Sequence, residues 1–97
     1  MKTLNEIQKI LEFHKKDLEV KYKIREIGVF GSIVRGEMKR GSDVDILVDF
    51  IEVPDLLKFI EIERKLEKLL RKKVDLVEKT AIRPELKETI LEEVIYI

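Results

Sequence analysis

Residues 31–45 read Gly-Ser-Ile-Val-Arg-Gly-Glu-Met-Lys-Arg-Gly-Ser-Asp-Val-Asp. The apolar run Ile24–Phe30 leads into this stretch and a second run, Val44–Phe50, leaves it. Both runs are short, rich in β-branched residues and bounded by Gly or Asp, so they predict strands. A Gly-Ser turn, Gly31-Ser32, closes the first strand, and eleven residues after Ser32 the pair Asp43 and Asp45 opens the second. This is the layout that a phosphate-handling, metal-using site needs. The turn can hold a polyphosphate, and the aspartates can hold the metal that bridges it.

Outward from this centre, the pattern alternates helices with strands. Thr3 and Glu6 fit a capping box. Leu4, Ile7, Leu11, His14 and Leu18 follow helical spacing, with Ile10 and Phe13 widening the stripe, and predict a helix from about residue 3 to about residue 20. His14, on or beside that stripe, reads as a partly buried helix histidine rather than a catalytic group. Residues 33–37 predict a short helix or turn. Pro54-Asp55 starts a long amphipathic helix over about 55–71, which Lys72 and Lys73 are expected to close. Val74 to Val77 reads as a third strand. Pro84 opens a last helix carrying Leu86, Ile90 and Leu91, and Val94 to Ile97 fits a short terminal strand.

The expected fold is α/β (α+β): a small mixed β-sheet with helices packed on one face. The short connection between the first two strands allows an antiparallel pair. The long helix before the third strand fits a crossover to a parallel neighbour. Ninety-seven residues suit one domain, 1–97, which buries roughly 60–68% of its unfolded surface. A large acceptor would then be recognised on an open surface or through a partner chain.

Composition narrows the chemistry. The chain is 44% hydrophobic and 41% charged, with a formal net charge of zero. Balanced charge argues against a general nucleic-acid coat, although a local basic patch is compatible with it. There is no cysteine, which removes disulfides and thiolate metal sites, and one histidine rules out His-rich sites. Oxygen ligands remain, and hard cations such as Mg²⁺ prefer them. No apolar stretch approaches a membrane span of about 18–20 residues. The first residues carry charges where a secretory signal would be apolar, so a cytoplasmic protein is the expectation. Abundant Lys and Glu beside a single Gln and a single Asn resemble thermophile usage.

Strand alternation groups the carboxylates. In the second strand Val44, Ile46, Val48 and Phe50 share one face, and Asp43, Asp45, Leu47 and Asp49 share the other. The apolar set must face the helices. In the third strand Asp75 likewise points away from the core. If the two strands are neighbours, Asp43, Asp45 and Asp75 gather on one side of the sheet. Clustered carboxylates repel one another unless neutralised, and a divalent metal is the usual remedy. Two such ions about 3.5–4 Å apart can clamp the attacking and leaving oxygens of a phosphoryl or nucleotidyl transfer.

On the phosphate side, Gly31 permits close backbone approach and Ser32 offers a hydroxyl. A helix starting here would direct N–H groups at a phosphate. One helical turn brings Arg35 to the side of Ser32. The stretch is neither a P-loop nor a dinucleotide fingerprint. Lys39, Arg40, Lys72 and Lys73 could add positive potential but read as solvated charges without assigned roles.

The pattern G-S-x-x-R-G, a spacer, S-D-x-D and an apolar strand resembles the DNA polymerase β-like nucleotidyltransferase superfamily, and within it the minimal nucleotidyltransferase branch. The likeness spans nearly the whole chain: the leading helix, Gly31-Ser32, Arg35-Gly36, Ser42-Asp43-x-Asp45, the Val74-Asp75-Leu76 strand and the closing E-E-V-I-Y-I. It implies the nucleotidyltransferase fold and transfer of a nucleoside monophosphate, AMP from ATP or another NTP, to an acceptor hydroxyl. Pyrophosphate would be released. Gly31, Ser32, Arg35 and Ser42 would bind the nucleotide, with Gly31 and Ser32 holding the triphosphate and Arg35 supporting the loop or the phosphates. Asp43, Asp45 and Asp75 would be both catalytic and metal-binding, for one or two Mg²⁺, with Asp75 also helping to deprotonate the acceptor. Val34 stands where the branch often has alanine and Ile46 where leucine is common; both remain apolar.

The branch also resembles antitoxins that pair with a HEPN-domain ribonuclease toxin encoded nearby, some of which are thought to adenylylate a tyrosine on it. That implies a HEPN-domain partner as acceptor. Two other readings stand beside it. One is a module that keeps the fold but blocks a toxin sterically. The other is a plain α/β domain with structural acids.

Overall fold

The computed structural model describes residues 3–97; Met1 and Lys2, the start of the stretch read as lacking a secretory signal, lie outside them. Helix α1, Leu4–Tyr22, begins with the expected capping box. The Thr3 hydroxyl accepts from the Glu6 N–H at 3.2 Å, and the Glu6 carboxylate accepts from the Thr3 N–H at 3.3 Å. The helix runs past residue 20 because Tyr22 is itself buried, and Lys23 then ends it at φ 55°. Strands β1, Ile24–Phe30, and β2, Val44–Phe50, stand where the apolar runs placed them, flanking the one-turn helix α2, Ser32–Arg35. That turn starts one residue earlier than expected and stops before Glu37, since Gly36 adopts φ 72°.

Helix α3, Leu56–Leu70, is capped by Asp55, whose carboxylate accepts from the Lys58 N–H at 2.8 Å. Arg71 at φ 53°, not Lys72 and Lys73, closes it. A left-handed cap completes the carbonyl bonding of the last turn locally, so the lysines are not needed there. Strand β3, Val74–Glu78, follows. A 3₁₀ turn at Lys79–Ala81, not anticipated, then leads to helix α4, Pro84–Glu93, and strand β4, Ile95–Tyr96.

The four strands form one mixed sheet in the order β3-β2-β1-β4. β1 pairs antiparallel with β2 and with β4, and β2 pairs parallel with β3, the α3 crossover supplying the return. The core occupies one face. Ile7, Leu11 and Leu18 of α1 and Ile62, Leu66 and Leu70 of α3 pack on Ile27, Val29, Val44, Ile46, Val48, Val74 and Leu76. Burying each such side chain stabilises the fold by about 1.5–3 kcal/mol relative to exposure. Helix α4 contributes no buried residue. The helix-packed face and the mixed sheet follow the sequence expectation.

His14 is half-buried on α1, edge-on to Phe13 with ring centroids 5.0 Å apart. It lines a surface cleft of about 440 Å³ with Leu18, Tyr22 and Leu69, on the helix side of the sheet. A second cleft, about 280 Å³, lies beside it around Tyr22 and Pro54. The aspartates of β2 and β3 line neither.

Candidate active site

The register sets the site. Asp45 lies between Phe30 of β1 and Asp75 of β3 in the sheet ladder. Val44 and Ile46, fully buried, hold the other face, so Asp45 must project away from the helices. Asp43 sits just before the strand, and the Val44 N–H donates to the Lys73 carbonyl at 2.8 Å, tying the starts of β2 and β3 together. Asp43 and Asp75 are exposed and Asp45 is half-buried. Asp49, on the same face but further along, is paired with Arg25 at 3.5 Å and stands apart from the group.

Asp45 shows what the cluster costs. Its pKa is pushed up from 3.8 to about 6, first by burial, then by the charges of Asp75 and Asp43, with Glu93 adding and Arg35 opposing. The carboxylates are close enough to disturb one another.

The Gly31–Ser32 turn meets this group directly. Gly31 has φ 79°, and a Cβ placed on it would lie 1.9 Å from the Asp45 Oδ2. Only glycine lets the turn and the aspartate occupy this space. The Gly31 carbonyl accepts from the Val34 and Arg35 N–H groups, which starts α2 and leaves the Ser32 and Ile33 N–H groups without intrahelical acceptors. The Ser32 hydroxyl donates only to the Met38 sulfur at 3.5 Å, a weak acceptor. Ser42 is less free: its hydroxyl accepts from the Lys39 N–H at 3.1 Å and closes the loop before Asp43.

Arg35 points back at the site edge. Its Nε donates to Glu37 at 2.9 Å and its Nη1 to Glu93, and both carboxylates raise its pKa. Glu93 also accepts from the Gly31 N–H at 2.9 Å. The sequence reading assigned no role to Glu37 or Glu93. Glu93 lies 62 residues from Gly31, and no periodicity relates them. Its one signal was its place in the closing E-E-V-I-Y-I. The sequence-derived residues Gly31, Ser32, Arg35, Asp43, Asp45 and Asp75 thus meet at one end of the sheet, and Ser42 flanks them as a loop residue.

The donor set suits a hard divalent cation. Every ligand candidate is a carboxylate oxygen, and after burial it is the charges of Asp75 and Asp43 that raise the Asp45 pKa. Among the described residues no three acidic, imidazole or thiol side chains, Asp43, Asp45 and Asp75 included, stand close enough together to hold a metal ion as they are placed. Mg²⁺ would need only one or two of these carboxylates, with water and phosphate oxygens filling its remaining positions.

A mixed sheet with helices on one face, a Gly-Ser turn against paired aspartates and an open acidic shelf define a nucleotidyl-transfer class of protein. The nucleotidyltransferase domain family matches residues 6–97, and the chain belongs to that family. It is 58% identical over 97 residues to a Thermococcus cleftensis protein named protein adenylyltransferase MntA, covering 100% of this chain and 98% of that one. A solved structure named provisionally as a minimal nucleotidyltransferase superposes with a TM-score of 0.74 at 33% identity, over 92% of this chain and 93% of the other. A crystal structure described as a toxin-antitoxin with AMP-PNP superposes with a TM-score of 0.73 at 28% identity, over 88% and 70%. The chain is therefore a transferase of the minimal nucleotidyltransferase kind.

Proposed function

We propose that this chain is a Mg²⁺-dependent adenylyltransferase that moves AMP from ATP to a hydroxyl on a HEPN-domain partner protein, acting as the antitoxin of that pair. The observation that carries the reading is Asp45, set against Gly31 on one side and Asp75 on the other, with its pKa raised first by burial and then by the neighbouring carboxylates. The naming of the Thermococcus relative and the AMP-PNP toxin-antitoxin structure support the adenylyl group and the partner.

In this account the turn after Gly31 binds the triphosphate through the Ser32 and Ile33 N–H groups and the Ser32 hydroxyl, with the Gly31 N–H held by Glu93. Arg35 supplies positive charge beside it, and Ser42 shapes the loop that presents Asp43. Asp43, Asp45 and Asp75 would hold Mg²⁺ between them, and the ion would supply neutralisation of the phosphates and of the developing charge. The acceptor oxygen attacks the α-phosphorus, a new P–O bond forms, the bond from the α-phosphorus to the bridging oxygen breaks, and pyrophosphate leaves. Asp75, exposed at the edge strand where a partner can reach it, takes the acceptor's proton. Asp43 and Asp75 are exposed, so the site is an open shelf, which suits a substrate carried by another protein. No helix among the described residues is long and apolar enough to cross a membrane. The cytoplasm is the compartment that supplies ATP and Mg²⁺.

The test is transfer of label from [α-³²P]ATP to the HEPN-type product of the neighbouring gene. Label on the partner with wild type, and none with Asp43→Ala plus Asp45→Ala, supports the enzyme. If that double variant still neutralises the partner and wild type transfers no label, steric blocking replaces catalysis.

A further inference from the structure

Glu93 grips both halves of the phosphate side at once. Its Oε2 accepts from the Gly31 N–H at 2.9 Å, while its Oε1 accepts from Arg35 Nη1. Its side chain is only 15% exposed, against 48% for Arg35. We propose that Glu93 is a positioning residue for the nucleotide: it fixes the Gly31–Ser32 turn and aims the Arg35 guanidinium at the triphosphate. This deepens the nucleotidyl-transfer reading above and rests on it.

Helix α4 buries nothing in the core, so packing does not demand a carboxylate at this point. What the carboxylate does is local. Gly31 leaves no room beyond its hydrogen atoms before Asp45, so the bond that holds its N–H also sets the spacing between turn and aspartate. Arg35 has five N–H donors in a rigid plane. Glu37 takes its Nε and Glu93 its Nη1, from two sides of the guanidinium. A plane held at two edges does not rotate, and the remaining donors keep one direction. Glu93 also holds Gly31, which packs directly against Asp45, so this direction lies beside the metal-side carboxylates. Ordering these donors before the nucleotide arrives lowers the entropy lost on binding.

The same contacts could be read as Glu93 occupying the place of a phosphate and competing with it. The two roles give opposite signs. Glu93→Gln keeps size and removes charge. The assay uses the full chain with its HEPN-type partner, ATP and Mg²⁺, with ATP binding measured directly and the melting temperature in parallel. Positioning predicts that Glu93→Gln raises KM for ATP and the ATP Kd about tenfold or more, as expected for a charged hydrogen bond, at nearly unchanged melting temperature. Arg35→Gln should then add less in the Glu93→Gln background than in wild type. A KM that is unchanged or lower, or a loss of melting temperature that accounts for the whole effect, overturns the proposal. Should Glu93→Gln fail to fold, Arg35→Lys keeps the charge and loses the fork; an unchanged KM there overturns it as well. Wild type that binds and transfers AMP while Glu93→Gln matches it removes this inference alone. Wild type that neither binds ATP nor transfers AMP removes the nucleotidyl-transfer reading and this inference with it.

Discussion

Strand β2 has two faces that do different work. Val44, Ile46 and Val48 on one face are 0% exposed and lie under α1 and α3. Asp45, between the first two of them, is half-exposed, and its pKa stands near 6. The helix side is a packed apolar layer in which each residue adds to stability. The other side holds like charges, which lower stability. A small domain with little free energy in reserve keeps such a cluster only where it has a use.

The largest expected contrast comes from replacing neighbours on opposite faces. Asp43→Ala plus Asp45→Ala should reduce adenylyl transfer about 10³-fold or more, while its melting temperature stays at or above that of wild type. Ile46→Ala should do the reverse. It should cost about 2–5 kcal/mol in denaturant unfolding, and the folded fraction should retain transfer per molecule. A double aspartate variant that unfolds, or an Ile46 variant that folds normally without activity, would break the division between the faces.

Glycines sharpen the same contrast. Gly36→Ala forces a side chain into the left-handed region, at roughly 1–2 kcal/mol, and Gly31→Ala forces one into φ 79°, ψ −153°, a region nearly confined to glycine, at roughly 1–3 kcal/mol. Only at Gly31 does the new methyl meet Asp45; at Gly36 nothing lies within 4 Å. Transfer should therefore collapse for Gly31→Ala and persist for Gly36→Ala, read by the same label assay.

The smallest effect is a pH dependence. The carboxyl of Asp45 has a folded pKa of about 6 against 3.8 when free, so between those values the folded chain binds the extra proton. Stability in the absence of metal should fall as pH rises through this window, and the penalty is complete above it. Asp45→Asn removes the penalty. It should stabilise the metal-free protein on the order of 1 kcal/mol above pH 6, the shift being discounted for the solvent that screens a half-exposed group, and should match wild type below pH 4. Denaturant melts across that range check the sign.

Much of this division could be read from the chain. Period-two alternation in residues 44–50 separated the faces, and β-branched runs ending at Gly31 and starting at Val44 fixed both strand bounds. Parallel pairing of β2 with β3 followed from the long α3 crossover, and it made Asp75 the neighbour of Asp45. Helix ends were less legible. Arg71 closes α3 through a left-handed backbone that arginine rarely signals, which is why the lysines after it drew the assignment instead. Glu93 lay beyond local reasoning altogether. Its partners are set by the way β4 returns along β1, and nothing periodic sets Glu93 apart from the adjacent Glu92. Ser42 matched the family pattern, yet its hydroxyl is engaged by Lys39, a contact between loop atoms that spacing does not encode.

The central claim is that the Gly31 turn and the Asp43–Asp45–Asp75 face are one site for metal and nucleotide. The most direct measurement is the melting temperature of wild type and Asp45→Asn at pH 7.5, each without and with saturating Mg²⁺ and ATP. The account predicts that Asp45→Asn melts higher than wild type without ligand, and that only wild type gains several degrees when Mg²⁺ and ATP are added. An equal gain in both proteins, or no gain in wild type, would contradict it.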